Sequence, residues 1–160
     1  MIFVTVGTHE QPFNRLIKKI DELVEEKIIS EPVFMQIGFS DYIPKNVKYS
    51  RFLSYAQMQE SINDARIIIT HGGPASFISV LAKGKKPIVV PRLSEFHEHV
   101  NDHQLIFAKE LIKKKYDIVI IEDIQEIGNE ILRFTEVFSN FRSNNKNFMS
   151  QFLNIIDELV

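Results

Sequence analysis

The feature that most constrains this chain is an alternation of short β-branched runs with longer amphipathic stretches. Ile2-Phe3-Val4-Thr5-Val6 reads as a buried strand ended by Gly7. A helix is predicted from about Pro12 to Ile29, with Pro12 suited to its first position and Phe13, Leu16, Ile17, Ile20 and Leu23 on one face. Val33 to Ile37 is a second strand, stopped by Gly38, and Val47 to Leu53 a third. Tyr55 to Ala65 reads as a short helix, followed by a fourth strand, Ile67 to Thr70. A helix from about Ala75 to Lys83 stops at Gly84, a C-cap signal. Pro87 to Val90, Asn101 to Lys114 and Asp117 to Ile121 complete the alternation as strand, helix and strand. Helices are predicted over Ile124 to about Phe138 and over Asn145 to Val160, separated by a polar break at Ser139 to Asn144.

Strands that alternate with helices require crossover connections, and those place parallel strands under helices on both faces. The continuous apolar character of the first, fourth and sixth strands agrees, because a parallel sheet is buried on both sides. The expected fold is therefore α/β: a single Rossmann-like domain, residues 1–160, with a mostly parallel six-stranded sheet and C-terminal helices from about residue 123. A chain of 160 residues that is 44% hydrophobic and 25% charged can build one full core without staples. A net charge of −2 argues against a general nucleic-acid binder. The absence of cysteine excludes disulfides, thiolate zinc sites, iron–sulfur clusters and a cysteine nucleophile. No export signal or membrane span is legible, so a cytoplasmic protein is expected, at most recruited to the inner face of a membrane by a partner.

In an open α/β sheet, ligands bind beyond the carboxyl ends of the strands. Gly7-Thr8-His9-Glu10 comes after the first strand, Thr70-His71-Gly72-Gly73-Pro74-Ala75-Ser76 spans the end of the fourth, and a histidine-rich loop from Pro91 to Gln104 comes after the fifth. Two glycines before a helix let a backbone approach a ligand closely, and the helix start presents free N–H groups and a positive dipole end. With the Ser76 hydroxyl and the His71 imidazole, that combination suits a phosphate or diphosphate. The same residues also read as an ordinary glycine turn into a capped helix. They match neither a Walker A loop nor G-x-G-x-x-G. His97, His99 and His103 permit a metal-hydrolase alternative, but their spacing fits no familiar zinc pattern. An epimerase would want the missing dinucleotide fingerprint. Lys83, Lys85 and Lys86, and Lys113 to Lys115, read as solvated helix ends, with an anionic membrane surface as the lesser alternative. The Phe-rich final helices read as core or interface.

The opening Ile2 to Thr8, Thr70 to Ser76, Gly84 to Pro91 and Glu98 to Leu105 together resemble the C-terminal, donor-binding half of a GT-B glycosyltransferase of the family 28 type. The resemblance covers about Met1 to Leu111. It extends to subunits of bacterial capsule and exopolysaccharide synthesis, and to the soluble catalytic subunit of the eukaryotic enzyme that extends dolichol-linked GlcNAc. It implies a UDP-sugar donor, with Gly7, Thr8 and His9 near the diphosphate and Phe52 and Leu53 near the uracil. It implies His71, Gly72, Gly73 and Ser76 in the phosphate-binding turn, with His71 catalytic, and Asp102, His103 and Gln104 at the sugar. An acidic residue that many relatives use for the ribose hydroxyls falls here on Ser79. The resemblance further implies an inverting transfer and a membrane-anchored, acceptor-binding partner subunit. A lipid-diphosphate-linked acceptor is expected, with no cofactor and no metal if the turn itself stabilises the leaving diphosphate, and the general base is expected on the partner because no candidate stands out in this chain. Ser79 keeps a second expectation open: a non-catalytic accessory subunit that stimulates a partner transferase.

Overall fold

In the computed structural model, residues 1–134 are described. Six strands form one sheet, in the order β3-β2-β1-β4-β5-β6, and every neighbouring pair is parallel. They are β1 Ile2–Thr5, β2 Val33–Gln36, β3 Lys48–Ser50, β4 Ile67–His71, β5 Ile88–Val90 and β6 Val119–Ile120. The helices are α1 Asn14–Glu25, α2 Tyr55–Asp64, α3 Pro74–Leu81, α4 His103–Lys113 and α5 Ile127–Arg133. The chain runs outward from β1 through β2 to β3, then crosses back to place β4 on the other side of β1. The order therefore reverses between β1 and β4, which opens a crevice at their carboxyl ends.

Side chains alternate across the pleat and fill a core on each face. Ile2, Val4, Ile67, Ile69, Ile88 and Val90 pack with Phe13, Leu16, Ile17, Ile20 and Leu23 of the α1 region and with Ile127 and Ile131 of α5. Phe3, Ile68 and Val80 meet Ile62 of α2 on the other face, and Val89 meets Phe107, Ala108 and Leu111 of α4. The expected helix layers on both faces are present, and the sheet is parallel throughout rather than mostly so. No helix among the described residues is long and apolar enough to cross a membrane.

Several boundaries differ from the sequence expectation for local reasons. Pro12 does not open α1; the helix starts at Asn14. There the Asn14 carboxamide oxygen accepts from the backbone N–H groups of Asp41 and Tyr42, and Ser40 Oγ accepts from Phe13 N–H. The edge strands β3 and β6 are shorter than their apolar runs, because only one neighbour is available to pair with them. The helix expected from Ile124 begins as a 3-10 turn, Ile124–Glu126, before α5. The remainder of that helix, the break at Ser139 to Asn144 and the helix over Asn145 to Val160 lie outside the described residues. Lys85 is not merely solvated: its ammonium donates to the carbonyls of Ile62, Asn63 and Ala65 at 2.7, 2.7 and 2.9 Å and caps α2.

Gly84 ends α3 as expected, at φ +70°, with Lys85 N–H on Val80 O and its own N–H on Leu81 O. The same closure ends α4, where Lys115 N–H reaches Ile112 O and Tyr116 N–H reaches Leu111 O. There the left-handed position is held by Lys115 at φ +65°, a conformation that strains a residue carrying a Cβ. Lys115→Gly should therefore raise stability by about 1 kcal/mol, read as an increased urea midpoint at unchanged slope.

Candidate functional site

The crevice holds a cavity of about 500 Å³, lined by the ends of β1, β2 and β4, the first two turns of α3 and one side of α2. That volume falls within the range of small-molecule sites. Its floor is a row of polar residues closing three otherwise apolar strands: Thr5 stands in register with Gln36 on one side and Thr70 on the other. Thr5 donates to Gln36 Oε1 at 2.6 Å, and the Gln36 amide nitrogen donates to Gly7 O at 3.0 Å and Arg51 O at 2.8 Å. Thr70 is fully buried on the cavity floor, and its Oγ1 has no hydrogen-bond partner among the described residues. A buried hydroxyl left unpaired in a cavity wall is costly unless a ligand or water completes it.

His71, the last residue of β4, sits between two glycine turns. A Cβ on Gly7 would lie 2.4 Å from His71 Nε2, and one on Gly73 would lie 2.1 Å from Cε1. Both positions therefore exclude a side chain so that the ring can lie between the two loops. Gly7 also has φ +73°. The ring is nearly buried: Gly73 N–H donates to Nδ1 at 3.1 Å, and Nε2 is 3.0 Å from Ser76 Oγ. Burial, reinforced by the positive charge of Arg92, pushes the His71 imidazole down to about 3. The ring is thus neutral at physiological pH.

The loop amides do not all face the cavity as the sequence led us to expect. Gly72 N–H is turned inward onto Gln104 Oε1, Gly73 N–H onto His71, and Ser76 N–H onto Gly73 O, while Pro74 has no N–H. The polar side chains that reach the cavity from this turn are the His71 ring and the Ser76 hydroxyl, set with Ala75 at the start of α3.

Of the residues singled out from sequence, Gly7, Thr8, His9, Leu53, His71, Gly73 and Ser76 meet around this one cavity, and Ser79 joins its wall. Phe52 stays outside, half exposed and edge-on to Phe39 at 5.1 Å between ring centroids. Asp102 and His103 are exposed; the Asp102 carboxylate accepts from Ser94 N–H at 2.8 Å, which holds it below the usual carboxylate range. Gln104 is buried beneath the rim rather than on the cavity wall. His99 stacks on His9 at 4.7 Å, apart from exposed His97 and His103. No three metal-holding side chains converge among the described residues.

Sequence reasoning missed the frame behind the site. Arg92, just after β5, is fully buried. Its guanidinium donates to Val6 O, Gln11 O and Glu98 O at 2.8, 2.7 and 3.0 Å and lies over the Phe13 ring. Burial pushes it down to about 10, opposed by the Glu98 carboxylate. Glu98 is itself buried, with Arg15 paired to both its oxygens at 2.9 and 3.0 Å. The available signal was a charge directly after an apolar strand and Pro91, in a loop already crowded with polar groups.

Residues 1–159 match the sequence model of the family described as Glycosyltransferase family 28 C-terminal domain. The human "UDP-N-acetylglucosamine transferase subunit ALG13" is 32% identical over 127 residues, covering 71% of this chain and 10% of that protein. The mouse protein of the same name is 28% identical over 121 residues, again with 10% of its length covered. The chain thus spans about a tenth of the length of these curated relatives. Among solved structures, MurG of Acinetobacter baumannii aligns with a TM-score of 0.52 at 19% identity, over 81% of this chain and 40% of that one. The glycosyltransferase SnogD of Streptomyces nogalater aligns with 0.51 at 17%, over 98% and 39%. At these identities the structures speak for the fold alone.

A neutral buried His71 makes stability depend on pH. The unfolded chain binds a proton near the ordinary value of 6.5, and the folded chain refuses it down to about 3. Stability from this residue is therefore complete above that range and is lost as pH falls, by up to about 1.4 kcal/mol per pH unit. Urea unfolding at pH 7 and pH 5 should show a smaller drop for His71→Asn than for the natural chain.

Proposed function

The chain belongs to the glycosyltransferase family 28 C-terminal domains, and from that premise we propose that it is the donor-binding, catalytic subunit of a two-component glycosyltransferase. It moves a sugar from a UDP-sugar to a lipid-diphosphate-linked acceptor in capsular or exopolysaccharide synthesis. The observation that carries the reading is the buried, neutral His71 held beside Ser76 at the start of α3, in the crevice where the strand order reverses. The relatives named as subunits of a UDP-N-acetylglucosamine transferase support both the donor class and the partner.

On this reading the acceptor oxygen attacks the anomeric carbon as the bond from that carbon to the diphosphate oxygen breaks. Its electron pair leaves on the diphosphate, so negative charge grows there. His71, Ser76 and the dipole of α3 lie where that charge develops, and donors already fixed in place need no reorganisation at the moment of transfer. Gly7 and Gly73 leave room for the His71 ring beneath the diphosphate, with Thr8 and His9 beside it. Leu53, with Met58 and Ile62 of α2, offers an apolar wall for the base. Phe52 lies at the outer edge of that wall. Asp102 and His103, exposed on the neighbouring loop, are left for the sugar, and the acceptor's general base is assigned to the partner. Ser79 favours a second reading, a stimulatory subunit without catalysis, because its hydroxyl is turned to Ala75 O of its own helix at 3.2 Å.

Calorimetric titration with UDP, with ADP as control, tests the proposal. UDP should bind selectively, and His71→Ala should weaken it about 10- to 100-fold, because the serine hydroxyl loses the ring that sets its hydrogen bond to the charged diphosphate. Equal affinity for UDP and ADP, or an unaltered variant, contradicts it. Stimulation of a partner that survives His71→Ala would favour the accessory reading.

A further inference from the structure

Gln104 sits on the first turn of α4, with its side chain beneath the loop after β4. Its Oε1 lies 3.0 Å from Gly72 N and 3.0 Å from Arg92 N. A backbone N–H can only donate, so two of them on one atom identify that atom as the carbonyl oxygen. The amide nitrogen must then be the atom 3.4 Å from His71 Nδ1. Gly73 N–H also points at Nδ1, at 3.1 Å. Two donors converge on one ring nitrogen, and a neutral ring meets them only with its lone pair at Nδ1 and its hydrogen at Nε2. Gly72 is part of the same arrangement, since a Cβ there would lie 2.6 Å from Gln104 Cβ.

We infer that Gln104 is a positioning residue, holding His71 as its Nε2–H tautomer so that Ser76 turns its hydrogen, and not a lone pair, toward an anion in the cavity. Nε2–H faces Ser76 Oγ at 3.0 Å, so the serine oxygen accepts and its own hydrogen is free to point outward. The result is a one-way chain of donors, from the Gln104 amide through the imidazole to the serine hydroxyl. The opposite tautomer would place Nδ1–H against two donors and draw the Ser76 hydrogen onto Nε2, leaving only serine lone pairs toward the ligand. This assigns Gln104 a place behind His71 instead of at the sugar. It rests on the donor-site reading only for what the anion is.

The test uses the whole chain with nitrogen-labelled histidine. Long-range proton–nitrogen correlation spectra should show His71 with an unprotonated Nδ1 and a protonated Nε2, without titration between pH 5 and 8. Gln104→Glu keeps an acceptor for Gly72 and Arg92 but sets a carboxylate against Nδ1, so Nδ1 should gain a proton. The His71 titration should move upward by about one to three pH units, and UDP affinity should acquire a matching pH step. A role limited to joining the loops would leave the tautomer unchanged in Gln104→Ala, because Gly73 N–H would hold it alone. A protonated Nδ1 in the natural chain overturns the inference, as does an unchanged His71 spectrum in folded Gln104→Glu. If that variant does not fold, the tautomer of the natural chain and Gln104→Ala decide the matter: with Gly73 N–H the one donor kept at Nδ1, a measurable Nδ1–H fraction should appear, and an unchanged tautomer overturns the inference. A natural chain with the expected tautomer but no affinity for UDP would count against the donor reading and leave the lock standing.

Discussion

The rim depends on one buried cation. Arg92 enters from the end of β5 and joins three carbonyls, two from the segment between β1 and α1 and one from its own loop. A buried charge needs acceptors and a nearby counter-charge; three carbonyls engage both terminal nitrogens, while Nε has no hydrogen-bond partner among the described residues. Glu98, held by Arg15, supplies that counter-charge. The same Arg92 gives its backbone N–H to Gln104, so one residue joins the loop after β1, the loop after β5 and the start of α4. His71 lies among these loops, and the positive charge beside it adds to the burial that keeps it neutral.

This frame divides the labour within the turn after β4. Amides that would commonly be offered to a phosphate are spent inward, on Gln104 and His71. Much of the binding capacity passes to the Ser76 hydroxyl, whose hydrogen is set by the imidazole behind it. Such a site is rigid by construction, and rigidity is what makes a donor effective against charge that appears only in the transition state. The glycines belong to the same logic, since Gly7 and Gly73 leave the volume that the imidazole fills.

Much of the fold was legible because parallel α/β sheets write themselves plainly. Runs such as Ile67-Ile68-Ile69 must be buried on both faces, and the period of α1 leaves no alternative to a helix. The turn from His71 to Ser76 and the loop from Gly7 to His9 were legible too, because ligand-binding residues in such a sheet stand directly after its strands. What sequence spacing could not supply was direction. Gln104 and Asp102 stand near the start of α4 in a polar loop, and only packing shows that one side chain turns under the sheet while the other turns to Ser94. Arg92 was visible as a rim residue, but its burial depends on carbonyls some eighty positions earlier in the chain. Edge effects account for the shortened β3 and β6, which no local pattern encodes.

The central claim is that the crevice between β1 and β4 holds a nucleoside diphosphate. Backbone amide spectra recorded during titration with UDP test it most directly. The account predicts that the largest shifts fall on Gly7, Thr8, Gly73, Ala75 and Ser76, with Leu53 at the margin, and that α1 and α5 on the opposite face stay unmoved. Shifts centred on that opposite face, or none at saturating UDP, would contradict it.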